Sequence, residues 1–176
     1  MARLIYGLNQ SLDGYVDHDR FAPDAVLFRH FIDHMGSVTG SLYGGRMYGI
    51  MRYWDEDQPG WGEAEREYAA AWRRAPKWVA SRTLTEVGPN ATLLGADLEA
   101  AVRELKAAHE GEIEVAGPGM ADLLSGTGLI DEYRIYLHPV VVGGDTPFFT
   151  RARPPLKLVD QLNIGENVIR LSYVPA

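Results

Sequence analysis

The sequence predicts an α/β domain whose mixed sheet is parallel in the main and antiparallel at its C-terminal edge, with helices on both faces. Two observations carry this: strand-like runs alternate with helix-like runs as far as Ser125, and beyond it strands joined by turns take over. A third sets the scale. The 176 residues hold no repeat, low-complexity stretch or interdomain linker, so residues 1–176 read as a single domain.

Taken in order, Leu4 to Leu8 is an apolar run suited to a buried strand, ending at Asn9 and Gln10. Ser11-Leu12-Asp13-Gly14 follows, with Asp-Gly as a turn signal. Pro23 and Asp24 open a helix whose Leu27, Phe28, Phe31, Ile32 and Met35 share one apolar face, and Gly36 ends it. Asp24 sits where an N-cap belongs. From Ser41 the pattern is a short strand, the glycines 44 and 45, then a helix through Met51. Residues 57–62 read as a surface loop, Ala64 to Ala71 as a helix, and Lys77 to Ala80 as a strand running into Ser81-Arg82-Thr83. Asp97 caps a helix with Leu98, Ala101, Val102, Leu105 and Ala108 inward, and Glu99 and Arg103 pair on its surface. Glu132 to Val142 reads as one long strand, 143–146 as a turn, and Phe148 with Phe149 as a buried aromatic pair. Leu156 to Leu162 and Val168 to Val174 supply the last strands.

The stretch from Ile113 to Leu124 organises the rest. It reads as a buried strand, a glycine turn at Ala116-Gly117-Pro118-Gly119, and a helix start at Met120. A helix N-terminus reached through glycines presents unpaired amides and partial positive charge, which suits a phosphate. Alone, it is equally a plain connection. The second glycine turn, the Ser81-Arg82 pair and the Asp13-Gly14 loop all follow strand ends as well, and in open α/β sheets ligands lie beyond the carboxyl ends of strands. All four can share one cleft.

Composition narrows the function. A net charge of -7 argues against nucleic acid, whose binding needs clustered cations. With no cysteine, disulfides, thiolate metal sites and cysteine nucleophiles are excluded. The N-terminus enters a strand directly and no apolar stretch is long enough to span a bilayer, so a soluble cytoplasmic protein is expected. His30 and His34 have a metal-binding spacing, but Phe31 stands where a zinc-protease helix has its glutamate and no third ligand is evident, so no metal is expected. The glycine turn is not the standard dinucleotide fingerprint, since Asp122 occupies the third glycine position, nor is it a Walker loop. No Gly-x-Ser-x-Gly elbow exists.

Six stretches in order carry a resemblance: Ser11-Leu12-Asp13-Gly14, Gly44 to Tyr48, Ser81-Arg82-Thr83-Leu84, Ala116 to Gly119, Gly128 to Tyr133, and Pro139 to Gly144. Together they resemble the dihydrofolate reductase-like family, and within it the C-terminal reductase domain of the bifunctional riboflavin-biosynthesis deaminase/reductase. The resemblance covers nearly the whole chain. It implies a dihydrofolate reductase-like three-layer fold and a homodimeric, NADPH-dependent reductase, with NADH as the other cofactor candidate. The implied substrate is a small heterocyclic or ribosylamino compound, such as 5-amino-6-(5-phosphoribosylamino)uracil or dihydrofolate. By the same resemblance Gly44, Gly45, Arg46 and Met47, with Ser81, Arg82 and Thr83, would hold the adenosine-phosphate end of the cofactor. Ala116, Gly117, Pro118, Gly119, Met120 and Ala121 would hold its pyrophosphate and ribose, and Asn9 and Val16 would face the nicotinamide. Asp24, four residues before Phe28, resembles the Asp-x-x-x-Phe helix of dihydrofolate reductase, which implies that Asp24 and Phe28 hold the substrate. Asp13 is a second acid, for proton delivery or ribose contact. Two departures stand out: the usual Gly-Arg-x-Thr-Tyr turn here reads Gly44-Gly45-Arg46-Met47-Tyr48, and the usual glycine pair is Ala116-Gly117. A nucleotide- or pterin-binding protein without turnover, or a fold used only for dimer assembly, would share the cleft.

Overall fold

The computed structural model describes residues 1–153 and 155–176. In chain order it runs β1 (Arg3–Gln10), α1 (Ala25–Ser37), β2 (Gly40–Gly44), α2 (Gly45–Met51), α3 (Glu63–Arg74), β3 (Lys77–Ala80), β4 (Ala91–Leu93), α4 (Leu98–Ala108), β5 (Glu112–Ala116) and α5 (Pro118–Ser125). Three strands close it: β6 (Glu132–Leu137), β7 (Leu156–Ile164) and β8 (Val168–Pro175). They form one eight-stranded sheet in the order β4-β3-β2-β5-β1-β6-β8-β7. From β4 to β6 every pairing is parallel, while β8 is antiparallel to both β6 and β7.

This order explains the layers. The chain moves outward from β1 to β2 and β3 through α1, α2 and α3, then returns to β5 and crosses to β6 through α4 and α5. Right-handed crossovers in opposite directions place the two helix groups on opposite faces. Val102 of α4 and Met120, Ala121 and Leu124 of α5 pack with Leu4, Tyr6, Leu42, Ile113, Val115 and Tyr133 into the main apolar core. On the other face, Met35 of α1 and Ala71 and Trp72 of α3 form a smaller cluster.

The two sheet faces differ in chemistry because alternation in a strand sends successive residues to opposite sides. Ile5 lies level with Glu114 and Glu132, Gly7 with Arg134, and Ser41 with both Glu114 and Lys77. The face under α1 to α3 is therefore polar and charged; the face under α4 and α5 is almost wholly apolar.

Two departures from the sequence reading have clear causes. The strand expected to run to Val142 ends at Leu137, because His138 N donates to Gln10 O at 2.8 Å as β1 itself runs out, and Pro139 has no N–H to extend the ladder. The chain then crosses the end of β1, where Leu12 N donates to Val140 O at 2.8 Å. The three-residue β4 had no sequence signal beyond a short apolar run, and it is fixed by Leu94 N donating to Val79 O at 2.9 Å. Phe148 is buried as expected, against Tyr6 at 4.5 Å and Phe149 at 4.7 Å between ring centroids.

Candidate active site

A cavity of about 560 Å3 lies between the polar sheet face and the helices that cover it. Its floor is Ile5, Gly7 and Asn9 of β1, Tyr43 of β2, Glu114 and Ala116 of β5, and Arg134 and Tyr136 of β6. Its walls are Phe31 and His34 of α1, Met47 and Met51 of α2, Tyr53 and Trp54 in the 3-10 turn that follows, and Tyr68 of α3. Gly7 is needed in the floor: a Cβ there would stand 3.3 Å from the Arg134 Cβ, tighter than ordinary packing allows.

The charges in and beside the floor fall into a linked network around Arg134, which with Glu114 lines the cavity, and one acid left over. Arg134 Nη1 and Nη2 donate to the two oxygens of Glu112 at 2.8 and 2.6 Å, and its Nε donates to Glu132 at 2.7 Å. Arg3 donates to the other oxygen of Glu132 at 2.7 Å. Hydrogen bonds from Arg134 hold the Glu112 carboxyl below the usual range. Burial is the largest influence on Glu132 and pushes it up, but the hydrogen bond and charge of Arg134, together with the Arg3 hydrogen bond and other polar neighbours, outweigh that and hold it down too. Glu114 stands apart. Ser41 Oγ donates to its Oε2 at 3.1 Å, and His34 Nε2 lies 3.8 Å from its Oε1, beyond direct hydrogen-bond reach. At the strand ends, Asn9 Oδ1 pairs with His138 Nε2 at 2.9 Å, leaving the Asn9 amide nitrogen to the cavity. His30 pairs with the Tyr136 hydroxyl at 3.1 Å, so the two histidines of α1 serve different partners. Burial lowers His30 and His138 and pushes the Tyr136 hydroxyl up to about 12.

The outer wall is aromatic and braced. Trp54 packs on Trp61 at 5.0 Å and on Tyr68 at 4.7 Å between centroids, and Trp61 Nε1 donates to the Tyr53 hydroxyl at 2.9 Å. Arg73 of α3 ties this segment down, donating to Trp54 O and to Asp57, each at 2.7 Å.

The glycine turns adjoin the cavity through Met47 and Ala116, which line it. Gly117 has φ +97, a conformation that favours glycine, and a Cβ there would meet the Met47 side chain at 3.4 Å. Pro118 fills the first position of α5, and the first intrahelical bond is from Ala121 N to Gly117 O at 3.1 Å, so the Gly119 and Met120 amides lie ahead of the hydrogen-bonded ladder. A Cβ at Gly119 would meet no protein atom within 4 Å, so space is open above these amides. A Cβ at Gly44 would lie 3.7 Å from the end of the Met120 side chain, and one at Gly45 would stand 2.9 Å from Ser81 Oγ. Ser81 Oγ itself accepts from the Thr83 and Leu84 amides at 3.2 and 3.1 Å. Arg46 and Arg82, the neighbours of Gly45 and Ser81, are exposed and pair with no carboxylate among the described residues. Unpaired amides, open space over Gly119 and two unengaged guanidiniums fit the phosphates of a dinucleotide. Met120 and Ala121 are buried in the core, so they can offer such a ligand only backbone.

The structure thus brings together Asn9, the Gly44 to Met47 turn, Ser81 and the Ala116 to Ala121 turn. Of these, Asn9, Met47 and Ala116 line the cavity itself; Asp24, Phe28, Asp13 and Val16 belong neither to its lining nor to the two turns. Asp24 is exposed and its carboxylate caps α1, accepting from Leu27 N at 2.8 Å. Phe28 stacks behind Tyr68, centroids 5.8 Å apart. Asp13 accepts from the Val142 and Gly143 amides at 3.0 and 2.7 Å, and the Ser11 hydroxyl with these amides holds its carboxyl down to about 2. Val16 packs against the main core, its amide donating to Thr146 O at 2.9 Å. Conversely, Glu114, Arg134 and the aromatic wall line the cavity without having been singled out from the sequence, and His34 was weighed there only as a metal ligand. The signal was there: Glu114 sits between Ile113 and Val115, and Glu132 and Arg134 alternate with Tyr133 and Ile135, so charges recur at every second place in interior strands.

Comparison with known proteins places this geometry. The uncharacterized protein YyaP of Bacillus subtilis strain 168 is 26% identical over 180 residues, covering 97% of this chain and 94% of its own. Among solved structures, a protein provisionally assigned to riboflavin biosynthesis from Shewanella sp. PV-4 superposes with TM-score 0.75 at 22% identity, over 100% of this chain and 99% of that one. The deaminase/5-amino-6-(5-phosphoribosylamino)uracil reductase of Thermotoga maritima gives TM-score 0.68 at 13% identity, covering 99% of this chain but 57% of the longer protein. The family model of the RibD C-terminal domain matches residues 2–169, nearly the full length, and the chain belongs to that family.

Proposed function

We propose that this protein is a pyridine-nucleotide-dependent reductase, with NADPH as cofactor, that reduces a small heterocyclic substrate in the cavity above β1, β2, β5 and β6. The observation that supports this most directly is the adjacency of two features: an aromatic-walled cavity and, joined to it through Met47 and Ala116, glycine turns with unpaired amides and exposed guanidiniums. When bound, the dihydronicotinamide supplies a hydride, two electrons and one proton, to a C=N or C=O carbon, and a proton from solvent completes the product. The chain's own part is to hold donor and acceptor together and keep water out.

In this reading the Ala116 to Ala121 turn holds the pyrophosphate through backbone amides, and Gly44 to Met47 with Ser81 to Thr83 hold the adenosine end. Arg46 and Arg82 meet the extra phosphate of NADPH. Asn9 and Val16 flank the nicotinamide end. Asp24 and Asp13 act from outside the cavity, the first by fixing the start of α1 and the second by anchoring the 139–144 loop; Phe28 backs Tyr68. The same reading includes a homodimer. β7 is a nine-residue edge strand with exposed Leu158, Val159 and Leu162, a surface that a second copy would cover. No helix among the described residues is long and apolar enough to cross a membrane.

Thermal unfolding in the presence of cofactor tests the reading. NADPH at a hundred times its Kd should stabilise by about 2.7 kcal/mol. Arg82→Ala should weaken NADPH at least about tenfold more than NADH, as expected for loss of a charged phosphate contact. No shift with either nucleotide would overturn the reductase assignment, and equal loss for both would remove Arg82 from it.

A further inference from the structure

We propose that the cavity takes a flat, unphosphorylated ring bearing paired N–H donors on one edge, and that Glu114 is the residue that grips it. This rests on the reading of the cavity as the substrate site and extends it to a substrate class. Three observations carry it.

The first is hydrogen-bonding capacity. Arg134 has Nε, Nη1 and Nη2 committed to Glu112 and Glu132. Glu114 has one donor, Ser41 Oγ, while a carboxylate offers about four acceptor positions. Its side chain is 20% exposed, and its Oε1 has only His34 nearby, at 3.8 Å. Glu114 is therefore the acid in the floor whose acceptors remain available to a ligand. A carboxylate meets a pair of parallel N–H groups bidentately, the arrangement found along the edge of an amidine or an amino-substituted pyrimidine.

The second is charge. Among the described residues no lysine lines the cavity, and its one arginine is the engaged Arg134. On β1, β5 and β6 the guanidiniums of Arg3 and Arg134 stand against the three carboxylates Glu112, Glu114 and Glu132, while Arg170 on the neighbouring β8 is paired with Asp160. A phosphate inside the cavity would face the Glu114 carboxylate, with the His34 imidazole as the one lining group besides the engaged Arg134 that can carry positive charge. The substrate named for the Thermotoga maritima relative carries a phosphoribosyl group. This floor favours one without it.

The third is shape. Tyr43, Tyr53, Trp54, Tyr68 and Tyr136 surround a space of about 560 Å3, and the Trp54 wall is held by Arg73. Flat aromatic walls braced in this way suit a planar ring.

Calorimetric titration of the full chain, with and without NADPH, tests the inference using 2,4-diaminopyrimidine as one probe and a ribosylaminouracil with and without its 5′-phosphate as the other. 2,4-Diaminopyrimidine should bind, and Glu114→Gln, which keeps the shape but replaces an acceptor with a donor, should weaken it at least about tenfold at unchanged thermal midpoint. Adding the phosphate should not strengthen binding of the ribosylaminouracil. No binding of the diaminopyrimidine, equal binding by Glu114→Gln, or a phosphate that tightens binding tenfold would each overturn the inference. The phosphate comparison uses the unmutated chain, so it holds even if the variant fails to fold. Cofactor binding, read in the same titrations, speaks only to the reductase assignment: probe binding that depends on Glu114 without any response to NADPH or NADH would uphold the inference and overturn that assignment.

Discussion

Asp24 and Glu114 are both acids bordering an apolar run, yet their neighbours give them different work. Asp24 begins a helix, where unpaired amides claim any nearby oxygen, and the Leu27 amide has it at 2.8 Å. Glu114 lies inside a strand whose own amides are already paired across the sheet, so its oxygens turn to side chains and to the cavity. Asp24→Asn preserves the cap, and we expect stability within about 0.5 kcal/mol of the parent and KM within about twofold, whereas Asp24→Ala costs about 1 kcal/mol. A tenfold rise in KM for Asp24→Asn, measured by steady-state kinetics, would return substrate orientation to this residue. The sequence made Asp24 visible because caps and the Asp-x-x-x-Phe pattern are local. Glu114 depends on which strands neighbour β5, and that order, with β5 inserted between β2 and β1, is not written in any single stretch.

At the scale of elements, β1, α1, β2, β5 and α5 were readable because each has its own periodicity and its own stop: Asn9-Gln10, Gly36, the 44–45 glycines and the Gly117-Pro118 turn. β4 and the end of β6 were not, since both are set by where the partner strand ends. The polar sheet face belongs to the same class of hidden feature. Glu112, Glu132 and Arg134 make sense only when β5, β1 and β6 are laid side by side, because Arg134 on β6 reaches across Gly7 of β1 to Glu112 on β5. Removing the cation leaves two acids on the sheet with Arg3 alone to answer them. Arg134→Met is therefore expected to lower unfolding free energy by about 3–5 kcal/mol, read from urea midpoints at neutral pH. A change below 1 kcal/mol would mean that the network contributes little beyond its bulk.

For the whole molecule, the buried histidines and the paired glutamates push in one direction on acidification. His30 and His138 are lowered by burial, so below about pH 6.5 the unfolded chain binds protons that the native chain refuses, and stability falls. Glu112 and Glu132 are also lowered in the native state. The stability they contribute is complete above the ordinary glutamate range, near pH 4.3, and is lost as pH drops through their native values. Urea midpoints should decline from pH 7.5 to 5.5 and more steeply toward pH 3.5; a midpoint that rises on acidification to pH 5.5 would contradict the histidine assignment. The sheet order carries a last consequence. β1, under the cavity, is three strands in from the exposed edge β7, roughly 15 Å at about 4.8 Å per strand. Two copies joined edge to edge across β7 would set their β1 strands seven spacings, about 34 Å, apart, with β8 and β7 of each subunit between the two cavity floors. Such a pair would share a sheet but no cavity-lining residue.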